Sequence, residues 1–199
     1  MKRSRYFEET LPEGYVAAYT IDATDKRMGV VLNLAGFAVM AAVGVVAWLC
    51  LRPTGFFEQY SVGRNLLFIA AILVYMVCHE LLHGAAYKAL TRRKLTFGLT
   101  LSVAFCGVPD VYVYRKTALL ALLTPFAVCI PVFLLPAVLC TDVWNRFYAA
   151  LLLALHLGGC IGDLYDAWLY LFRFRDSATL MQDTGPKQTF YVIEPGETP

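Results

Sequence analysis

Four stretches of this chain, residues 28–51, 65–90, 117–140 and 147–172, stay apolar for longer than a soluble fold sustains. About 20 such residues carry a helix across a bilayer. In lipid the backbone finds no water to bond, so spanning runs must be helical. The expectation is a mainly α, integral membrane protein with about four transmembrane helices. Composition agrees: 59% of residues are hydrophobic and 16% charged, against about 45–50% and 25% in soluble domains. A length of 199 residues suggests a single domain over 1–199. The net charge of +2, with no basic run, argues against nucleic acid and leaves the lipid bilayer as the expected partner. Glu8, Glu9, Pro12 and Asp22 precede any apolar run, so no cleavable signal is expected. None of the six cysteines forms a C-x-x-C pair, which indicates neither a disulfide framework nor a thiolate zinc finger.

Between the runs the pattern changes period. Residues 96–105 alternate apolar (Phe97, Leu99, Leu101, Val103, Phe105) with small or polar side chains, the signature of a strand. Gly107, Pro109 and Asp110 read as a turn and Val111–Tyr114 as a return strand, so a β-hairpin is predicted over 95–114. Its edge could hold an extended peptide by strand addition; a surface hairpin with no such role is the simpler reading. Short strands are also expected at Tyr15–Ile21 and Thr189–Ile193. Small residues in the first run (Gly29, Ala35, Gly36, Gly44) suit close helix packing. Pro125, Pro131 and Pro136 predict kinks in the third. Lys and Arg number five, six and three in the N-terminal segment, the 88–116 segment and the tail, against two and one in the 51–64 and 141–146 loops. That asymmetry puts both termini and the hairpin on the cytoplasmic side of a multi-pass protein, with the plasma membrane as the expected location.

Chemistry enters through Cys78-His79-Glu80-Leu81-Leu82-His83-Gly84, an H-E-x-x-H inside the second apolar run. On a helix His79 and His83 share a face one turn apart, where both imidazoles can reach one Zn²⁺ at roughly 2.0–2.1 Å. Glu80 stands where a carboxylate can take a proton from water activated by the metal. The competing structural reading is a buried polar cluster joining two helices. Ionisable groups are costly at this depth and mark function by default.

A catalytic zinc normally has three protein ligands, and depth in the membrane ranks the candidates for the third. His79 lies about 21 Å along its helix from Asn65. Asp163 lies about 24 Å along the fourth run from Phe147. Asp166 is one turn deeper, and His156 about 10 Å further from the cytoplasmic side. Asp163 therefore ranks first, Asp166 second and His156 third. Asp163 could instead orient a ligand imidazole; Asp166 could pair with Arg173 or Arg175 at a helix end, and His156 could be a hydrogen-bonded core histidine.

The H-E-L-L-H-G on a membrane helix, the Gly-Asp in Gly158-Gly159-Cys160-Ile161-Gly162-Asp163, Leu122-Leu123-Thr124-Pro125-Phe126 and the tail Gln182-Asp183-Thr184-Gly185 together resemble a small family of zincin-type membrane metallopeptidases, a domain of unknown function similar in layout to the site-2 proteases. The resemblance covers nearly the whole chain. It implies cleavage of membrane-protein or peptide substrates within or beside the bilayer. It also implies zinc on His79, His83 and Asp163, with Glu80 as general base. Around Asp163 the chain reads Ile-Gly-Asp-Leu and lacks the Asn-Pro-Asp-Gly or Leu-Asp-Gly of site-2 proteases. The expected function is a membrane zinc metalloprotease. The alternative from another class is a non-catalytic membrane protein that binds or transports metal, or holds partner helices. A transporter would show repeats and a pair of broken helices, and the intact glutamate favours the enzyme.

Overall fold

The computed structural model describes residues 6–55, 61–100 and 103–194. Its elements in chain order are β1 (Phe7–Glu8), β2 (Tyr15–Asp22), α1 (Lys26–Leu51), α2 (Val62–Thr91), β3 (Thr96–Leu99), β4 (Ala104–Gly107), β5 (Tyr112–Tyr114), α3 (Arg115–Leu139), α4 (Val143–Gly159), α5 (Ile161–Trp168) running into a π-helical turn (Leu169–Arg173), β6 (Leu180–Asp183) and β7 (Lys187–Ile193). Three helices, α1, α2 and α3, are long and apolar enough to cross a membrane, and α4 with α5 makes a fourth if the pair is one span. Large apolar side chains such as Leu34, Leu67, Val74 and Leu135 stand exposed on these helices, as lipid-facing residues would. The fourth run departs from the expected continuous helix: it breaks at Cys160, next to Gly158 and Gly159. Glycine weakens a helix by about 1 kcal/mol per residue, and the Cys160 N–H closes the end of α4 on His156 O at 3.0 Å. By contrast α3 runs unbroken through its three prolines.

The chain forms two compact units, each assembled from separated segments. The first comprises residues 1–32, 80–125 and 162–199. At its centre is a five-stranded antiparallel sheet in the order β1-β5-β6-β7-β2. Val113, Met181 and Phe190 oppose one another across adjacent strands and are fully buried. Aligned positions in neighbouring strands share a face, so these three form a row across the sheet. Tyr170 and Phe174, from the end of the fourth run, stack on Phe190 with ring centroids 4.9 and 5.1 Å away. The expected strands at 15–21 and 189–193 are present and pair with each other as β2 and β7.

The hairpin differs from the predicted one. β3 returns as β4, with Gly98 opposite Phe105, and Thr100 N donates to Val103 O at 2.8 Å across the turn; Leu101 and Ser102 lie outside the described residues. Residues 112–114 pair instead with β1 and β6 in the large sheet. Period-two alternation states that a segment is a strand and which face is apolar, not which neighbour it joins. Val111 and Val113 are fully buried, and Val113 is paired on both sides in the large sheet. Phe105 lies over Gly98 so closely that a Cβ there would meet its ring at 2.3 Å, which draws the return strand onto residues 104–107.

The second unit comprises residues 33–79 and 126–161. Here the small residues of α1 act as expected. A Cβ at Gly36 would sit 2.6 Å from Gly158 O, and one at Gly158 would sit 2.5 Å from Gly36 O. The α1 and α4 backbones therefore touch, which only glycine permits. Trp144 Nε1 donates to Thr54 O at 3.0 Å and Tyr148 OH to Asn65 Oδ1 at 2.7 Å. Replacing Gly36 by leucine should destabilise the protein by about 1–3 kcal/mol, the usual penalty for overpacking. Leu34→Ala, at an exposed neighbouring position, should change stability little; thermal unfolding of both variants in detergent checks this.

Candidate metal centre

Helix α2 presents four buried side chains at four-residue intervals on one face: Tyr75, His79, His83 and Tyr87. Each polar head must find a partner there, because an unsatisfied one costs several kcal/mol away from water. Tyr75 OH lies 3.0 Å from His156 Nδ1 and 3.4 Å from His79 Nδ1. His83 Nδ1 is 3.0 Å from Ala121 O, and its Nε2 is 3.4 Å from Asp163 Oδ2. Tyr87 OH donates to Asp183 Oδ2 at 2.7 Å.

The Ala121 carbonyl is available for a sequence-local reason. In a helix it would accept from the N–H four residues on, but that residue is Pro125, which has none. His83 fills the vacancy. A carbonyl can only accept, so Nδ1 carries a proton and donates it, which leaves Nε2 as the ring atom open to a metal. Nε2 is the atom turned towards Asp163. One nitrogen of His79 lies within 4.8 Å of one of His83, as a single helical turn requires, and the Asp163 carboxylate is equally close to His83. Two imidazoles one turn apart and a carboxylate beside the second are a donor set suited to zinc, so the residues fit that ion. Glu80 is half-buried beside His79 on the same turn. Phe97 of β3 packs on α2 at Gly84, where a Cβ would meet its ring at 2.8 Å. The glycine after the second histidine thus seats the hairpin against α2.

The remaining candidates fall elsewhere. Asp166 is buried, and its Oδ1 has no hydrogen-bond partner among the described residues. Arg173 lies over the Tyr19 ring and Arg175 over the Phe172 ring, not on Asp166. His156 is fully buried in α4, bonded to Tyr75 and 3.5 Å from Cys160 Sγ.

Sequence reasoning missed Tyr75, Tyr87 and Asp183. The two tyrosines continue the four-residue spacing of the histidines in both directions, and that spacing was the available signal. Asp183 ties the tail to α2: besides Tyr87 it accepts from Gly185 N at 2.9 Å and Gln188 Nε2 at 3.3 Å. Gly185 has φ +103°, and a Cβ there would meet Phe105 at 2.2 Å, so only glycine closes this turn.

Burial pushes the Asp183 carboxyl up to about 6 from 3.8, while its hydrogen bonds from Tyr87 and Gly185 pull the other way. Between those two values the folded chain binds the proton more tightly than the unfolded chain does. Stability contributed by this group is therefore greatest below about pH 4, falls as pH rises to about 6 and is level above that. Unfolding temperatures of wild type and Asp183→Asn, measured in detergent from about pH 4 to about pH 7, should show this falling limb in the wild type and its loss in the variant.

Residues 72–178 match a family described as "Putative zincin peptidase". No curated protein and no solved structure matches the chain. The matched segment contains His79, Glu80, His83 and Asp163 and makes up more than half of the 199 residues. Zincins are zinc peptidases built on H-E-x-x-H, so the family implies both a metallopeptidase and zinc. With that motif on one buried turn of a membrane-length helix and a carboxylate at its second histidine, the chain belongs to this zincin-type peptidase family.

Proposed function

We propose that the protein is a membrane-embedded zinc metalloprotease that hydrolyses peptide bonds of membrane-associated substrates, with His79, His83 and Asp163 as metal ligands and Glu80 as general base. The observation that carries this reading is the His83 imidazole, held by Ala121 O through Nδ1 with Nε2 facing Asp163. A histidine whose Nδ1 is tied to a carbonyl and whose Nε2 faces a carboxylate is oriented for a cation. Zinc, when bound, supplies the Lewis acidity that activates water and polarises the scissile carbonyl. Glu80 takes the proton from the attacking water and delivers it to the leaving amine. As ligands, His79 and His83 would each give the metal one ring-nitrogen lone pair. Asp163 adds negative charge that favours a divalent cation over an empty site.

The substrate must arrive unwound, since helical carbonyls are engaged in backbone bonds. β3 pairs only with β4 among the described residues, which leaves one edge open for strand addition, and it packs next to His83 at Gly84. The charge asymmetry of the loops supports a multi-pass plasma-membrane protein with both termini cytoplasmic. The layout supports a likeness to site-2 proteases. The partners in this reading are the bilayer and a membrane-protein or peptide substrate.

Metal analysis of detergent-purified protein is the test. Wild type and Glu80→Gln should each hold about one equivalent of zinc. Asp163→Ala should lose the zinc that serves hydrolysis and with it the cleavage of a membrane-peptide substrate. Glu80→Gln should cleave a membrane-peptide substrate about 100- to 10,000-fold more slowly. A wild type that takes up no zinc on reconstitution would end the enzyme reading; full cleavage by Asp163→Ala would end that ligand assignment. Leu99→Pro, which blocks the β3 edge, should lower cleavage without loss of zinc.

A further inference from the structure

The second compact unit contains a ligand cluster that the hydrolytic set does not use. His156 and Cys160 stand one turn apart at the end of α4, as His79 and His83 do on α2. Cys160 and His156 are fully buried and His79 nearly so. Cys160 Sγ is 3.5 Å from His156 Nδ1 and 3.9 Å from its Nε2. One ligand atom from each of His79, His156 and Cys160 lies within 4.8 Å of the others. Sulfur and nitrogen bound tetrahedrally to one zinc, at about 2.3 and 2.1 Å, are themselves about 3.6 Å apart. The cluster is thus already near coordination spacing. The Tyr75 hydroxyl, bridging the two imidazoles, stands where a fourth oxygen donor would.

We propose that His79, His156 and Cys160 form a second metal seat, for a thiophilic or borderline cation such as zinc, with Tyr75 at its open position. The donor chemistry sets its preference. A thiolate with two imidazoles favours softer ions than two imidazoles and a carboxylate do. His79 is common to both sets, and a neutral imidazole has only one lone-pair nitrogen. It serves one ion at a time. On the reading of the hydrolytic site given above, a cation on the Cys160 side withdraws His79 from catalysis. Excess metal would then switch the peptidase off. The seat itself does not depend on that reading.

Cobalt(II) is the probe, because a thiolate ligand adds an intense near-ultraviolet charge-transfer band that imidazole and carboxylate ligands do not. Metal-stripped, full-length protein in detergent is titrated with cobalt as His83→Ala, as Cys160→Ser and as the double variant. The proposal expects His83→Ala to bind cobalt with the band, and the double variant to lose it. Absence of the band in His83→Ala overturns the seat, as does a band that persists without Cys160, since another cysteine would then be the ligand. Cys160→Ser reports on the hydrolytic set separately. Cobalt bound there without the band supports that set whatever becomes of the seat. No binding in Cys160→Ser beside a banded His83→Ala would retain the seat and remove the hydrolytic site. Asp163→Ala replaces His83→Ala if the latter does not fold, and His156→Gln confirms the assignment by the same loss of band.

Discussion

A polar group buried on a long apolar helix must be bonded to something, and the α2 face shows what that requirement builds. Tyr75, His79, His83 and Tyr87 occupy successive turns, and partners for them come from distant parts of the sequence: His156, the Ala121 carbonyl with Asp163, and Asp183. A helix that exposes leucine and valine on its other sides would gain nothing by carrying two histidines inward unless those partners were present. Satisfying the face and assembling the site are the same event.

Residues usually regarded as helix breakers are used to make those partners available. Pro125 leaves the Ala121 carbonyl unclaimed within its own helix, and His83 takes it. Gly36 and Gly158 let α1 and α4 meet backbone to backbone between His156 and Cys160. Gly84 admits Phe97 of the hairpin beside His83. Each is a small loss of intrinsic helix stability, of order 1 kcal/mol for glycine and more for proline. Tertiary bonding or packing at the same position offsets it.

The sheet extends the same logic into the polar part of the chain. Its central strands bury Val113, Met181 and Phe190, and its tail carries Asp183 back to Tyr87, one turn beyond His83. The tail motif Gln182-Asp183-Thr184-Gly185 is thus a clamp on the C-terminal part of α2. Its glycine is required by a left-handed backbone and by Phe105 above it.

Much of this protein is written locally. Run length determined the membrane-length helices, because lipid leaves the backbone no alternative to internal hydrogen bonds. Four-residue spacing determined that His79 and His83 share a face, because the helix repeat is invariant. Alternation marked the strand at 15–21, and a run of β-branched and aromatic residues the one at 189–193. Partnership was not local. That β5 joins β1 and β6 rather than β3, that the fourth run breaks at Cys160, and that His83 meets Asp163 while His156 turns to Tyr75 and Cys160 were decided by the tertiary structure. Periodicity specifies which way a side chain points along its own element. Which donor and acceptor meet across elements depends on the packing of apolar surfaces far apart in the chain, and on where a glycine or proline lets two backbones come close.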